Sequence, residues 1–150
     1  MRKILFVAGA IACLSLSACE KKAEAPVAEA PKKSLARMAP LYAGQDQVAS
    51  VQSGKVTVAP GGGVTLEAKA TTDGSGWTDV GFLPRIYAAT PPDGVYEIDI
   101  VGQKPATPGA AGPTPVEVKG AWDKYTDGRV KGVTFKSKTN EITVKLLTAP

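Results

Sequence analysis

The sequence predicts an all-β domain over residues 41–150, closed as a sandwich or small barrel of about seven strands. Apolar and polar residues alternate with period two, turn residues break the alternation at short intervals, and no long segment has helical periodicity. A domain of this size buries about two-thirds of its unfolded surface and can fold without disulfides.

The first predicted hairpin sets Val56 and Val58 against Lys55 and Thr57. It turns at Pro60 to Gly63, then sets Val64, Leu66, Ala68 and Ala70 against Thr65, Glu67, Lys69 and Thr71. The three glycines are read as that turn, because no Gly-Lys-Ser or Gly-Lys-Thr motif follows to make a phosphate cradle. A second pair, 82–89 and 95–101, flanks the turn Pro91, Pro92, Asp93, Gly94. Alternation there points Tyr96, Ile98 and Ile100 inward, and Glu97 and Asp99 outward.

The stretch 103–114 is rich in Pro, Gly and Ala and is expected to be an exposed loop of about a dozen residues. Beyond it Val116, Val118 and Trp122 share a face, and a last hairpin pairs Val133 and Phe135 with Ile142, Val144 and Leu146 across Thr139 and Asn140. The strand count is similar to that of an immunoglobulin-like sandwich, although the Cys, Trp, Cys spacing of antibody domains is missing.

The chain opens with Arg2 and Lys3, an apolar run from Ile4 to Leu16, and the small residues Ser17 and Ala18 before Cys19. That layout reads as a signal peptide over residues 1–18, the run being shorter than the roughly 20 residues that span a bilayer. The tetrad Leu16, Ser17, Ala18, Cys19 resembles the lipobox of bacterial lipoproteins. The resemblance implies cleavage before Cys19, a diacylglyceryl group on its thiol and acylation of the new amine. It covers the signal alone and implies nothing about the domain. Glu20, where inner-membrane retention in enteric bacteria usually shows Asp, points within the same resemblance to the outer membrane.

Residues 19–40 combine the lipid-bearing Cys19 with a segment of Ala, Pro, Glu and Lys, read as a tether. Its reach as a flexible coil is roughly 25 Å.

Composition narrows the chemistry. Cys13 leaves with the signal and Cys19 is consumed by lipid, so no thiol remains for a disulfide, a zinc site or a nucleophile. Histidine is absent, which removes Ser-His and Cys-His catalysis. The formal charge of +4 comes from the N-terminal segments, since residues 41–150 hold eleven basic and eleven acidic side chains. Nucleic acid, whose binding rests on phosphate neutralisation, is therefore not expected as a partner.

The candidate residues are aromatic and charged side chains. Trp77, Arg85, Tyr87, Trp122 and Tyr125 can stack on a sugar ring or anchor a protein, and both tryptophans lie beside turn residues, Gly76 and Asp123. Glu97 and Asp99, two apart on one strand and about 6.6 Å distant along it, suit either a solvated face or the carboxylate pair of a glycoside hydrolase. Asp123, Asp127 and Gly128 are read as a turn rather than a Ca²⁺ loop, because Tyr125 takes a ligand position. Lys136, Lys138 and Lys145 place positive charge on the last hairpin, suited to protecting a sheet edge or to meeting an anionic surface.

The expectation is a non-enzymatic lipoprotein of the outer membrane, without metal or cofactor. Its partners are the membrane, through Cys19, and an envelope protein or glycan. The rival expectation is a carboxylate-dependent hydrolase using Glu97, Asp99, Asp93 or Asp123.

Overall fold

The computed structural model describes residues 36–59 and 61–146. The signal peptide, the lipobox and most of the tether lie outside the described residues. All described residues belong to one compact unit, 33–150.

The ten strands described are β1 Ala36–Arg37, β2 Gln45–Gln47, β3 Ser50–Val58, β4 Val64–Gly74, β5 Thr78–Pro84, β6 Ile86–Tyr87, β7 Val95–Gln103, β8 Ala111–Trp122, β9 Gly132–Lys136 and β10 Glu141–Lys145. Three of these, β1, β2 and β6, are only two or three residues long. The other seven, together with β2, make a sandwich-like arrangement of a β3-β4-β8 sheet and a five-stranded sheet centred on β7. Ala36 and Arg37, inside the segment read as tether, pair with Tyr87 and Ile86, so the ordered domain starts before residue 41.

Period-two alternation explains the first sheet. Val64, Leu66, Ala68, Ala70 and Thr72 of β4 are buried, while Thr65, Glu67 and Lys69 lie on its outer side. Thr72 is tolerated inside because its hydroxyl donates to the carbonyl of Gly74 at 2.8 Å. The predicted turn closes the hairpin: Ala59 N–H bonds Gly63 O at 2.7 Å, and the positive φ of Gly61 and Gly62 suits residues without a Cβ.

The loop expected over 103–114 is shorter than predicted. Strand β8 begins at Ala111 and runs antiparallel to β4 from Gly74↔Ala111 to Val64↔Trp122. Its prolines do not prevent this, because β8 is an edge strand bonded on one side only and a missing N–H can face away from the ladder.

In the second sheet β7 has β5 antiparallel along one edge. The other edge carries β9, parallel to its first half, and β2, antiparallel to its end. The parallel pair departs from the antiparallel sheets that define immunoglobulin sandwiches. The last hairpin has the expected register, Phe135 opposite Ile142 and Val133 opposite Val144.

One corner joins the two sheets. Val48 N–H bonds Ile100 O in the second sheet, and the next residue, Ala49, bonds Thr71 O in the first. The β9–β10 turn docks on this corner through Asn140, whose side chain bonds both the N–H and the carbonyl of Val51. Between the sheets lie Val48, Val51, Leu66, Ile98, Ile100, Val118, Val133 and Phe135, all buried.

Candidate functional site

The five predicted contact residues do not form one site. Trp122, Tyr87 and Tyr125 gather near the start of β7, Arg85 lies over the outer face of β7, and Trp77 stands near its end. Tyr96 and Gly102, which the two tryptophans touch, are six residues apart on β7, a distance of roughly 20 Å.

At the first end Tyr96, absent from the sequence-based candidates, is the hub. It stacks on Tyr125 at 5.0 Å and meets Trp122 and Tyr87 edge-on at 5.4 and 5.1 Å. Alternation placed Tyr96 inward, and this cluster is what it meets there. Trp122 is buried in the cluster and closes the core, while the Tyr125 ring is covered by the chain's own cations, Arg129 at 5.1 Å and Lys124 at 5.6 Å. The Asp127–Arg129 turn is held as expected: Asp127 accepts from both the backbone and the guanidinium of Arg129, which keeps its carboxyl below the usual range. Tyr87 is pushed up to about 12, first by burial.

On the outer face of β7 the sequence reading needs correction. Asp99 does point away from the core, but it is fully buried rather than solvated. Arg85 lies across it in a bidentate pair, Nε to Oδ2 and Nη2 to Oδ1, both at 2.9 Å, and Gln47 donates to Oδ1. The third guanidinium nitrogen, Nη1, approaches Glu97 Oε2 at 3.1 Å, with Lys136 at 3.8 Å. Hydrogen bonding to Asp99 raises the already high pKa of Arg85, so the fork stays charged. Held in this way, the two carboxylates fasten Arg85, the residue after β5, to the outer face of β7. Asp93 has a turn role, accepting from Val95 N–H at 3.0 Å, and Lys138 and Lys136 pair with Asp46 and Glu141.

The second end is a pocket of about 250 Å³ between loop 74–77 and loop 104–110. Trp77, half-exposed, forms one wall; its ring lies against the bare backbone of Gly102, where a Cβ would sit 3.2 Å from Cε3. Trp77 Nε1 donates to Asp73 Oδ1 at 3.1 Å. Lys104 bridges Asp73 Oδ2 at 3.3 Å and Asp46 Oδ2 at 2.9 Å, with its ammonium 5.5 Å from the Trp77 ring centre. The two loops are clipped together: Ser75 N–H bonds Ala110 O at 3.0 Å, and Ala110 N–H bonds Ser75 Oγ at 2.9 Å. Gly109 fits there because a Cβ would come within 2.5 Å of Ser75 O. Nearby Asp79 has a positive φ of 49°, a conformation more often taken by glycine or asparagine.

Of the five candidates, Trp77 lines the pocket described above. Asp73, Lys104 and Ser75 were missed because Lys104 is 31 positions from Asp73 in the chain, and only the fold brings the two loops together. A larger hollow of about 350 Å³ on the outer face of the β3-β4-β8 sheet is lined by alternating charges that pair across strands, such as Lys69 with Glu117 at 3.2 Å, and has no aromatic wall.

The charge of the Trp77 pocket carries a pH prediction. Burial opposes ionisation of Asp46 and Asp73, but hydrogen bonds from Lys138 and Lys104 at Asp46, and from Lys104 at Asp73, outweigh it and hold both carboxyls below the ordinary 3.8. A lowered folded value means that the stability these groups contribute is complete above the unfolded value and lost as the pH falls through the folded one. Thermal melts between about pH 2 and 6 should therefore show stability dropping below about pH 4, with a shallower drop for Lys104→Met. Equal slopes for the two proteins would contradict this coupling.

Comparison with protein-family models, with curated proteins and with solved structures yields no match.

Proposed function

We propose that this chain is a lipoprotein of the bacterial outer membrane, anchored through Cys19, whose β domain acts as a non-enzymatic binding module for another envelope component. The lipobox tetrad Leu16 to Cys19, standing directly behind a signal-like apolar run, is the observation that carries the anchor. The binding role is supported by the Trp77 pocket, an aromatic wall with fixed polar groups set between loops at one end of a rigid sandwich.

The anchor is tested by intact-mass spectrometry of the membrane fraction. The expected mass is that of residues 19–150 with acyl chains added, and Cys19→Ala is expected to move most of the protein to the soluble fraction. An unlipidated mature chain in the wild type would overturn the anchor. Crosslinking in cells tests the module: recovery of a specific envelope protein or cell-wall glycan is expected, and nothing above background would count against it.

A further inference from the structure

We infer that the Trp77 pocket binds one uncharged pyranose unit of an envelope glycan; this rests on the binding-module reading above and names its ligand. Three properties of the pocket select that chemistry.

The first is size. About 250 Å³ falls below the roughly 300–1,000 Å³ of pockets that enclose drug-sized ligands, so the space suits one ring of a longer chain rather than a folded segment.

The second is charge. Asp46 and Asp73 meet Lys104 and Lys138 in one connected set, two negative and two positive groups that cancel. A cationic ligand is excluded from the aromatic ring by the ammonium of Lys104 lying over it. An anionic ligand has no unpaired cation to meet in that set, because Lys104 and Lys138 are already ion-paired. A neutral, hydroxyl-rich molecule loses nothing on either account.

The third is the arrangement of surfaces. A pyranose has an apolar face of C–H groups and an edge of hydroxyls. Trp77, Pro105 and Pro108 offer apolar walls, while Asp73 accepts, Lys104 donates and Ser75 does either at the pocket's polar side. Proline-rich peptides are a poorer fit, since grooves that read them are lined by several aromatic rings and this pocket has one. The polar groups are already locked by Trp77 Nε1–Asp73 and by the Ser75–Ala110 clip, so little ordering cost falls on binding.

The test is a titration of the full-length protein in detergent with tri-N-acetylchitotriose and, separately, cellotriose, read by tryptophan fluorescence and, for the Trp77 variants, by isothermal titration calorimetry. Trp77 is half-exposed and Trp122 buried, so the signal reports mainly on the pocket. A saturable change with at least one sugar is expected. Trp77→Ala should weaken binding at least about tenfold and Trp77→Tyr much less, with far-UV circular dichroism unchanged in both. Asp73→Asn, which keeps the shape and removes the charge, should weaken it by about threefold to tenfold.

No saturable change with either sugar up to millimolar concentration would overturn the glycan assignment. Undiminished binding by a folded Trp77→Ala protein would overturn the pocket assignment. In both cases cellular crosslinking to an envelope component would still stand or fall separately, so failure of this proposal is distinguishable from failure of the module reading.

Discussion

Replacing Arg85 by Met is expected to lower the unfolding free energy by about 3–5 kcal/mol, the range for removing one partner of a buried ion pair. The reason lies in what is left behind. Asp99 has no solvent exposure, and in the variant its carboxylate would keep only the single hydrogen bond from Gln47. Glu97 would lose the 3.1 Å contact that compensates its Oε2 atom, which has no well-directed hydrogen bond, and would keep Lys136 at 3.8 Å. Urea denaturation followed by tryptophan fluorescence measures the loss, and for a domain of this size it corresponds to a melting point lower by on the order of 15 °C.

The double variant Arg85→Met with Asp99→Leu separates two explanations. If the cost comes from the stranded charge, removing that charge as well should recover much of the stability, since apolar replacements of buried pairs are often neutral or better. A single variant within about 1 kcal/mol of the wild type would mean that the fork over β7 stabilises nothing.

Asp99 also shows where sequence reading stops. Its direction was legible: alternation along Tyr96, Glu97, Ile98, Asp99 and Ile100 put it on the outer face, and the register confirms that face. Its burial was not legible, because that depends on Arg85, fourteen positions earlier, folding back over the strand. The hairpins at 61–63 and 137–140 could be read because both strands and their turn are local in sequence. The parallel pairing of β7 with β9 could not, since β8 intervenes and belongs to the other sheet. The candidate site divides in the same way. Trp77 was visible as an aromatic residue beside a turn, whereas its pocket needs Lys104 and the 104–110 loop, which reach it only because β7 carries them to the same end of the sandwich.

A smaller substitution tests the core at its tightest point. Gly54→Ala adds one methyl group, yet is expected to cost about 1–3 kcal/mol, the range for overpacking. Gly54 lies opposite Ala68 in the β3–β4 ladder, and a Cβ there would sit 2.4 and 2.5 Å from Cδ2 and Cε2 of Phe135. The ring cannot simply step aside. Phe135 is fully buried, Phe82 lies 5.6 Å from it centre to centre, and Val144 is itself only 3.3 Å from the added atom. On backbone grounds the opposite sign would be expected, since alanine for glycine within a strand reduces the freedom of the unfolded chain and gains about 0.4–1 kcal/mol where it fits. The steric effect should win, because the contact involves ring carbons rather than the free end of a long side chain.

Pairing the substitution with Phe135→Leu gives the decisive comparison. Phe135→Leu alone should destabilise by leaving space, but part of that space is where the new methyl group goes. The two changes together should therefore cost less than the sum of the separate costs, by more than about 0.5 kcal/mol in equilibrium unfolding. Strict additivity would show that Gly54 is required for its backbone rather than for the room it leaves Phe135. A Gly54→Ala protein more stable than the wild type would show that the ring has space to move.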